Sequence, residues 1–263
     1  MKRHFRLFVR YFAQYAKVRL AYKADFIIAF FSSMAATVLG FGFMLVLFSK
    51  IPRLQDWSFN EVMFLYGFSL IPLGFFNVVS WNLYDFSEIY IIEGKFDRVL
   101  LRPVSTLFQV IFEKFRLESL QEVVTGIAVV ALCAHRLHLS MRLPDYLWFG
   151  LMMICGAAIY LAVFLILTAV SFWFEDRVGI VPPVFNMLNF SRYPLTIYNV
   201  FIQFLLSWII PFGFASFYPT THFLGRTAFT LYFHLVPVVA IAFSALAIVV
   251  WNRGVSNYSS TGT

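Results

Sequence analysis

The chain has 263 residues, 61% of them hydrophobic and only 13% charged, with a net charge of +7 and a mean hydropathy of +0.79. A water-soluble domain carries about 25% charged residues, so this composition excludes one and fits an all-α polytopic membrane protein. The basic excess does not point to nucleic acid, because Lys and Arg flank apolar stretches, where membrane lipid headgroups account for them.

Residues 1–23 are predicted to form an interfacial amphipathic helix. Phe5, Phe8, Val9, Phe12, Ala16 and Leu20 follow helical spacing, while Lys2, Arg3, Arg6, Arg10 and Lys17 lie mostly off that stripe. No short apolar core with a cleavage site follows, so no cleavable signal is expected. The helix reads either as a retention signal or as a lever between a cytosolic partner and the first span.

A helix needs about 20 apolar residues to cross the hydrocarbon core. Six spans are predicted, at about 26–48, 62–81, 108–134, 146–174, 195–217 and 227–251. The third is extended back through Phe108, because Pro103 suits a helix start and no breaker follows until Gly126. With the N-terminus inside, the cytosolic segments hold fifteen Lys and Arg, among them Arg177 and Arg192, and the outer ones hold five. This bias places both termini in the cytosol. Trp57, Trp81, Trp148, Trp173 and Trp251 fall near span ends, where indole prefers the interface. No remaining stretch is long enough for a soluble core, so 1–263 reads as one transmembrane domain. Cys133 and Cys155 both sit in apolar stretches and read as buried thiols rather than a disulfide.

Between the second and third spans lies Glu88–Arg116, longer than a plain connector. Gly94 permits a sharp turn, Pro103 restricts Arg102 and can open the next helix, and Ile89, Ile92, Phe96, Val99 and Leu100 give an apolar side. The pattern predicts a short helix, a turn and a second helix, with 88–105 as a cytosolic coupling loop. It is either an interfacial elbow or a docking element, and charges of both signs alternating with apolar anchors favour docking.

Chemistry is scarce. A phosphate loop needs a Gly five residues before Gly94 and a Ser or Thr after Lys95, where this chain has Ile89 and Phe96. No nucleotide site is therefore expected on this chain, which reads as not an enzyme. The five histidines form no zinc motif, so no metal is expected. Glu118 and Glu122, one turn apart, are candidates for a translocation path, or for interfacial ion pairs with Lys114. Gln203 and His234 are candidates for the same path or for helix packing. Ser32, Ala36 and Gly40 form a small-residue stripe for close helix approach. Pro211, Gly213 and Pro219 predict a broken or re-entrant helix that gates the outer side.

Three stretches together resemble the six-span permease subunits of ABC exporters with type-2 membrane domains. They are Glu93-Gly94-Lys95-Phe96-Asp97 through Leu100-Leu101-Arg102-Pro103-Val104-Ser105; Phe190-Ser191-Arg192-Tyr193-Pro194 with Ile210-Pro211 and Tyr218-Pro219; and the tail Trp251-Asn252-Arg253-Gly254 to Tyr258-Ser259-Ser260. The resemblance runs over nearly the whole chain. It implies a multi-pass protein of a prokaryotic inner (plasma) membrane, paired with a second permease copy or paralogue. A separate ABC ATPase subunit would carry the ATP and Mg; no cofactor is expected on this chain. The contact residues for that subunit would be Gly94, Lys95, Phe96, Asp97, Arg98, Leu100, Arg102 and Pro103, with Phe96 and Leu100 as apolar anchors. Two other readings stay open: a lipid-modifying membrane enzyme using Glu118, Glu122 and His234, and a passive channel or scaffold.

Overall fold

The computed structural model describes residues 9, 11–15, 17, 23–174 and 181–259. Most of the basic residues of the N-terminal segment, and Arg177, lie outside them. Val9, Tyr11–Tyr15 and Lys17 are helical. Then follow α1 (Lys23–Lys50), α2 (Phe59–Tyr84), a π-turn (Ser87–Ile92), α3 (Phe96–Leu100), α4 (Thr106–Phe112), α5 (Leu120–Arg136), α6 (Leu143–Ala169), α7 (Ser171–Phe174), α8 (Val181–Met187), α9 (Val200–Phe204), α10 (Phe212–Ala215), α11 (Phe217–Phe223) and α12 (Thr230–Asn257). No strand occurs among the described residues. Among the described residues, five helical stretches are long and apolar enough to cross a membrane, and a bent pair adds a sixth candidate.

The bundle centres on α2, whose membrane window is 72% buried, against 11% for α1. Ser58 and Glu61 close its N-terminus as a capping box. Close approach of α2 and α5 comes from glycines: a Cβ on Gly126 would lie 2.6 Å from the Gly67 carbonyl oxygen. Of the small-residue stripe on α1, Gly40 abuts the Tyr66 ring, while Ser32 and Ala36 are exposed. Trp57 and Trp251 are fully buried, not lipid-facing. Cys133 and Cys155 are buried free thiols.

Two predicted spans need correction. The helix expected over 108–134 stops at Phe112 and resumes at Leu117 as a 3-10 turn leading into α5. Competing hydrogen bonds divert the backbone: Arg116 N–H donates to the Val78 carbonyl at 2.8 Å, and Asn82 Nδ2 donates to the Val110 carbonyl at 2.9 Å. Both partners belong to α2, so tertiary contact outweighs local helix propensity.

The span expected over 195–217 is not a straight helix. Residues Val200–Ile209 and Phe212–Phe223 meet at a 72° bend around Pro211. Both ends of this segment reach one side chain. Trp57 Nε1 donates to Thr196 Oγ1 at 3.0 Å, and the Arg226 guanidinium lies 3.7 Å over the Trp57 ring. The chain therefore returns to the level it left, as a re-entrant hairpin. Its bend reaches down to α6, where Phe212 packs on Tyr160 and Phe164 at 5.2 and 6.2 Å. Arg192, expected in a cytosolic segment, instead packs on the bundle: its Nη1 donates to the Tyr66 hydroxyl of α2 at 3.4 Å.

Candidate functional site: a charged elbow keyed into three spans

The elbow begins where α2 ends. Gly94 turns the chain with φ +68°, a left-handed conformation that favours glycine. Its neighbour Lys95 pairs with Glu93 at 2.5 Å. Ser105 caps α4 by accepting from Phe108 N–H. Gln109, almost fully buried, donates from Nε2 to the carbonyls of Val99 and Val104, both at 3.0 Å. Trp251 Nε1 donates to Thr106 Oγ1 at 3.2 Å. These bonds fasten the elbow to its own exit helix and to α12.

Phe96 departs from the sequence expectation. It is fully buried, so it is no surface anchor. Its ring packs on Phe86, Phe172, Trp251 and Tyr258 at 5.9, 5.1, 6.3 and 5.0 Å. Those partners stand at the ends of α2, α7 and α12. The cause is geometric: with Phe96 and Val99 turned inward, the opposite face of a five-residue helix must face out. That face leads to Leu101 (85% exposed), while Leu100 (44% exposed), one turn after Phe96, lies at the edge of the inward side. Ile92, in the preceding π-turn, is 56% exposed. Lys95, Arg98, Arg102 and Pro103 are exposed, and Asp97 is partly buried. Burial pushes the Tyr258 phenol up, and the nearby Asp97 carboxylate adds to the effect.

The N-terminal helical residues lie against the same region. Phe12 and Tyr15 pack on Phe115 at 5.5 and 5.8 Å, and Arg102 Nη1 donates to the Tyr11 hydroxyl at 3.4 Å. The elbow is thus flanked by the segment that the sequence marks as interfacial.

The path candidates do not converge. Glu118 is buried, with Arg116 Nε 3.5 Å from its carboxylate, a partner other than the expected Lys114. Glu122 accepts from Asn77 Nδ2 at 2.8 Å. Next to it, Gln121 Nε2 donates to Ser33 Oγ and Thr37 Oγ1 of α1 at 3.1 and 3.2 Å. Gln203 is satisfied inside the re-entrant hairpin by the Tyr198 carbonyl at 2.8 Å. His234 is exposed beside Trp148, near the start of α6 and away from the elbow. Glu118, Glu122 and His234 therefore form no acid–base constellation. Pro211, Gly213 and Pro219 are all buried within the hairpin. No cluster of three His, Cys, Asp or Glu suited to a metal occurs among the described residues.

Asn77, Gln121 and Gln109 escaped the sequence reading. Their signal was available: a polar side chain in an apolar helix must find a partner, and Asn77 finds Glu122 of α5, Gln121 finds Ser33 and Thr37 of α1, and Gln109 finds two carbonyls of the elbow.

A family model described as ABC-2 family transporter protein matches residues 33–262. The chain belongs to the ABC-2 transporter family. No curated protein and no solved structure matches it. The match begins inside α1 and runs through the elbow, the re-entrant hairpin and α12, so the geometry above belongs to an ABC transporter membrane permease. The family is a transporter domain, not a nucleotide-binding one.

Proposed function

We propose that the chain is the membrane subunit of an ATP-driven exporter, coupled through its elbow to a separate ATPase that holds the ATP and Mg. One observation carries the reading. Leu100, Leu101 and Ile92 are exposed on the elbow, while Phe96 is locked into the ends of three membrane helices. A partner that grips the outer side chains and moves them pulls on α2, α7 and α12 together, because close-packed aromatics transmit displacement. The elbow and both termini then face the cytosol of a prokaryotic cell. The α1 helix, mostly exposed, offers Ile27, Phe31, Leu39, Phe43 and Val46 to a second permease copy or paralogue and to lipid. The polar row of Glu122, Asn77 and Gln121 and the re-entrant hairpin would border the path between the two copies.

The test is co-expression with a tagged phosphate-loop ATPase from the same operon. The permease is expected to co-purify and to raise ATP hydrolysis in proteoliposomes. A permease that moves substrate with no ATPase present sinks the proposal.

A further inference from the structure

Beside the apolar docking face, the elbow holds a recess of about 220 Å³. Its polar lining is Tyr90, Lys95, Arg98, Arg102, Glu113 and Lys114. Lys95, Arg98 and Arg102 are three and four residues apart, so helical spacing turns them the same way. Lys114 comes from the opposite wall, in the break between α4 and α5. The acidic groups nearby are already engaged. Glu113 accepts from the Tyr90 hydroxyl at 2.5 Å, and Glu93 pairs with Lys95. Burial, and then Glu113, push the Tyr90 phenol well up, so it stays protonated and keeps donating. Arg102 has the neutral Tyr11 hydroxyl for a partner. Among the described residues, Arg98 and Lys114 make no ion pair. Four cations thus converge on a small recess against two carboxylates, Glu113 in its lining and Glu93 on Lys95, a repulsion that an anion between them relieves.

The position of the recess selects among anions. Lys114 stands three residues before the turn at Leu117 that leads into membrane helix α5. Phe12, Tyr15 and Phe112 pack on Phe115, the residue after Lys114, and give that wall an apolar flank suited to acyl chains. We propose that this recess is a binding site for an anionic phospholipid, whose headgroup phosphate lies among Arg98, Arg102, Lys114 and Lys95. Arginine's planar fork suits phosphate oxygens. Through Arg102 the bound headgroup also faces the N-terminal helix, so membrane composition would bear on the elbow's position.

The experiment uses the full chain purified in a neutral detergent. Short-chain phosphatidylglycerol, short-chain phosphatidylcholine and inorganic phosphate are titrated separately, with binding read by calorimetry. Phosphatidylglycerol is expected to bind best, since the choline cation is repelled and free phosphate lacks the membrane-side contacts. At about 1 kcal/mol per basic residue, R98Q/K114Q should weaken phosphatidylglycerol about thirtyfold, and R98K/K114R should bind like wild type. The single R98Q variant, at an exposed position, should lose about fivefold and guards against misfolding of the double variant. Wild-type affinity in R98Q/K114Q, or equal binding of phosphatidylcholine, overturns the proposal. Inorganic phosphate binding as tightly as the lipid makes this a free-phosphate site instead. If R98Q/K114Q keeps its lipid affinity but loses the ATPase, the recess takes an acidic side chain of that partner, and the lipid assignment fails.

Discussion

Phe96 provides the sharpest perturbation. It is fully buried among four aromatic rings at 5.0–6.3 Å, so Phe96→Ala removes a whole core side chain. A buried aromatic covers roughly 150–250 Å². At about 25 cal/mol per Å² that is about 4–6 kcal/mol, in line with the ~3–5 kcal/mol measured for Phe→Ala in cores. Phe96→Asp should cost more, because a carboxylate would lie unpaired in the ring cluster. Leu101, 85% exposed, is the control: Leu101→Asp should change stability by under about 0.5 kcal/mol. Thermal unfolding of the purified permease in detergent, followed by fluorescence, separates the two. Phe96→Ala should unfold at clearly lower temperature than Leu101→Asp. If Phe96→Ala unfolds like wild type while Leu101→Asp does not, the inward and outward faces of α3 have been assigned the wrong way round.

Other outcomes follow from the same packing. Gly126→Val drives a branched side chain against the Gly67 backbone, and overpacking of about 1–3 kcal/mol should show as reduced yield of folded permease. Glu122→Gln keeps an acceptor for Asn77 and should melt near wild type, whereas Glu122→Ala leaves Asn77 unpaired and should lose about 1–3 kcal/mol in the same assay. Arg226→Ala removes the hydrogen bond to Glu61 at 2.9 Å and the stack on Trp57. It should loosen the exit of the re-entrant hairpin, read as faster maleimide labelling of a cysteine placed at Thr227; unchanged labelling would argue against the clamp.

How much could be read from residues alone varied by segment. The all-α membrane class was legible, because long runs without Lys or Arg leave no other solution for the backbone. The break at Pro211 was legible for a similar reason, since proline cannot continue a helix. Whether that break made a kinked span or a re-entrant one stayed open, because nothing local records that Thr196 and Arg226 meet the same tryptophan. The place of Arg192 was not legible either, because its charge suggests an aqueous loop and its partner, Tyr66, lies far away in the sequence. The break at 113–116 was equally invisible, being imposed by the carbonyl of Val78 across the bundle. In the elbow, Gly94 announced the turn. The apolar pattern marked Phe96 and Leu100 without telling which faced in, since a single helical turn carries too little periodicity to orient it.

The central claim is that the exposed face of the elbow takes a separate ATPase. The most direct measurement is ATP hydrolysis by that ATPase in proteoliposomes containing wild-type or Leu100→Asp/Leu101→Asp permease. The account expects the variant to unfold at the wild-type temperature yet to fail both to retain the ATPase and to stimulate it. A variant that retains and stimulates the ATPase fully would contradict the account.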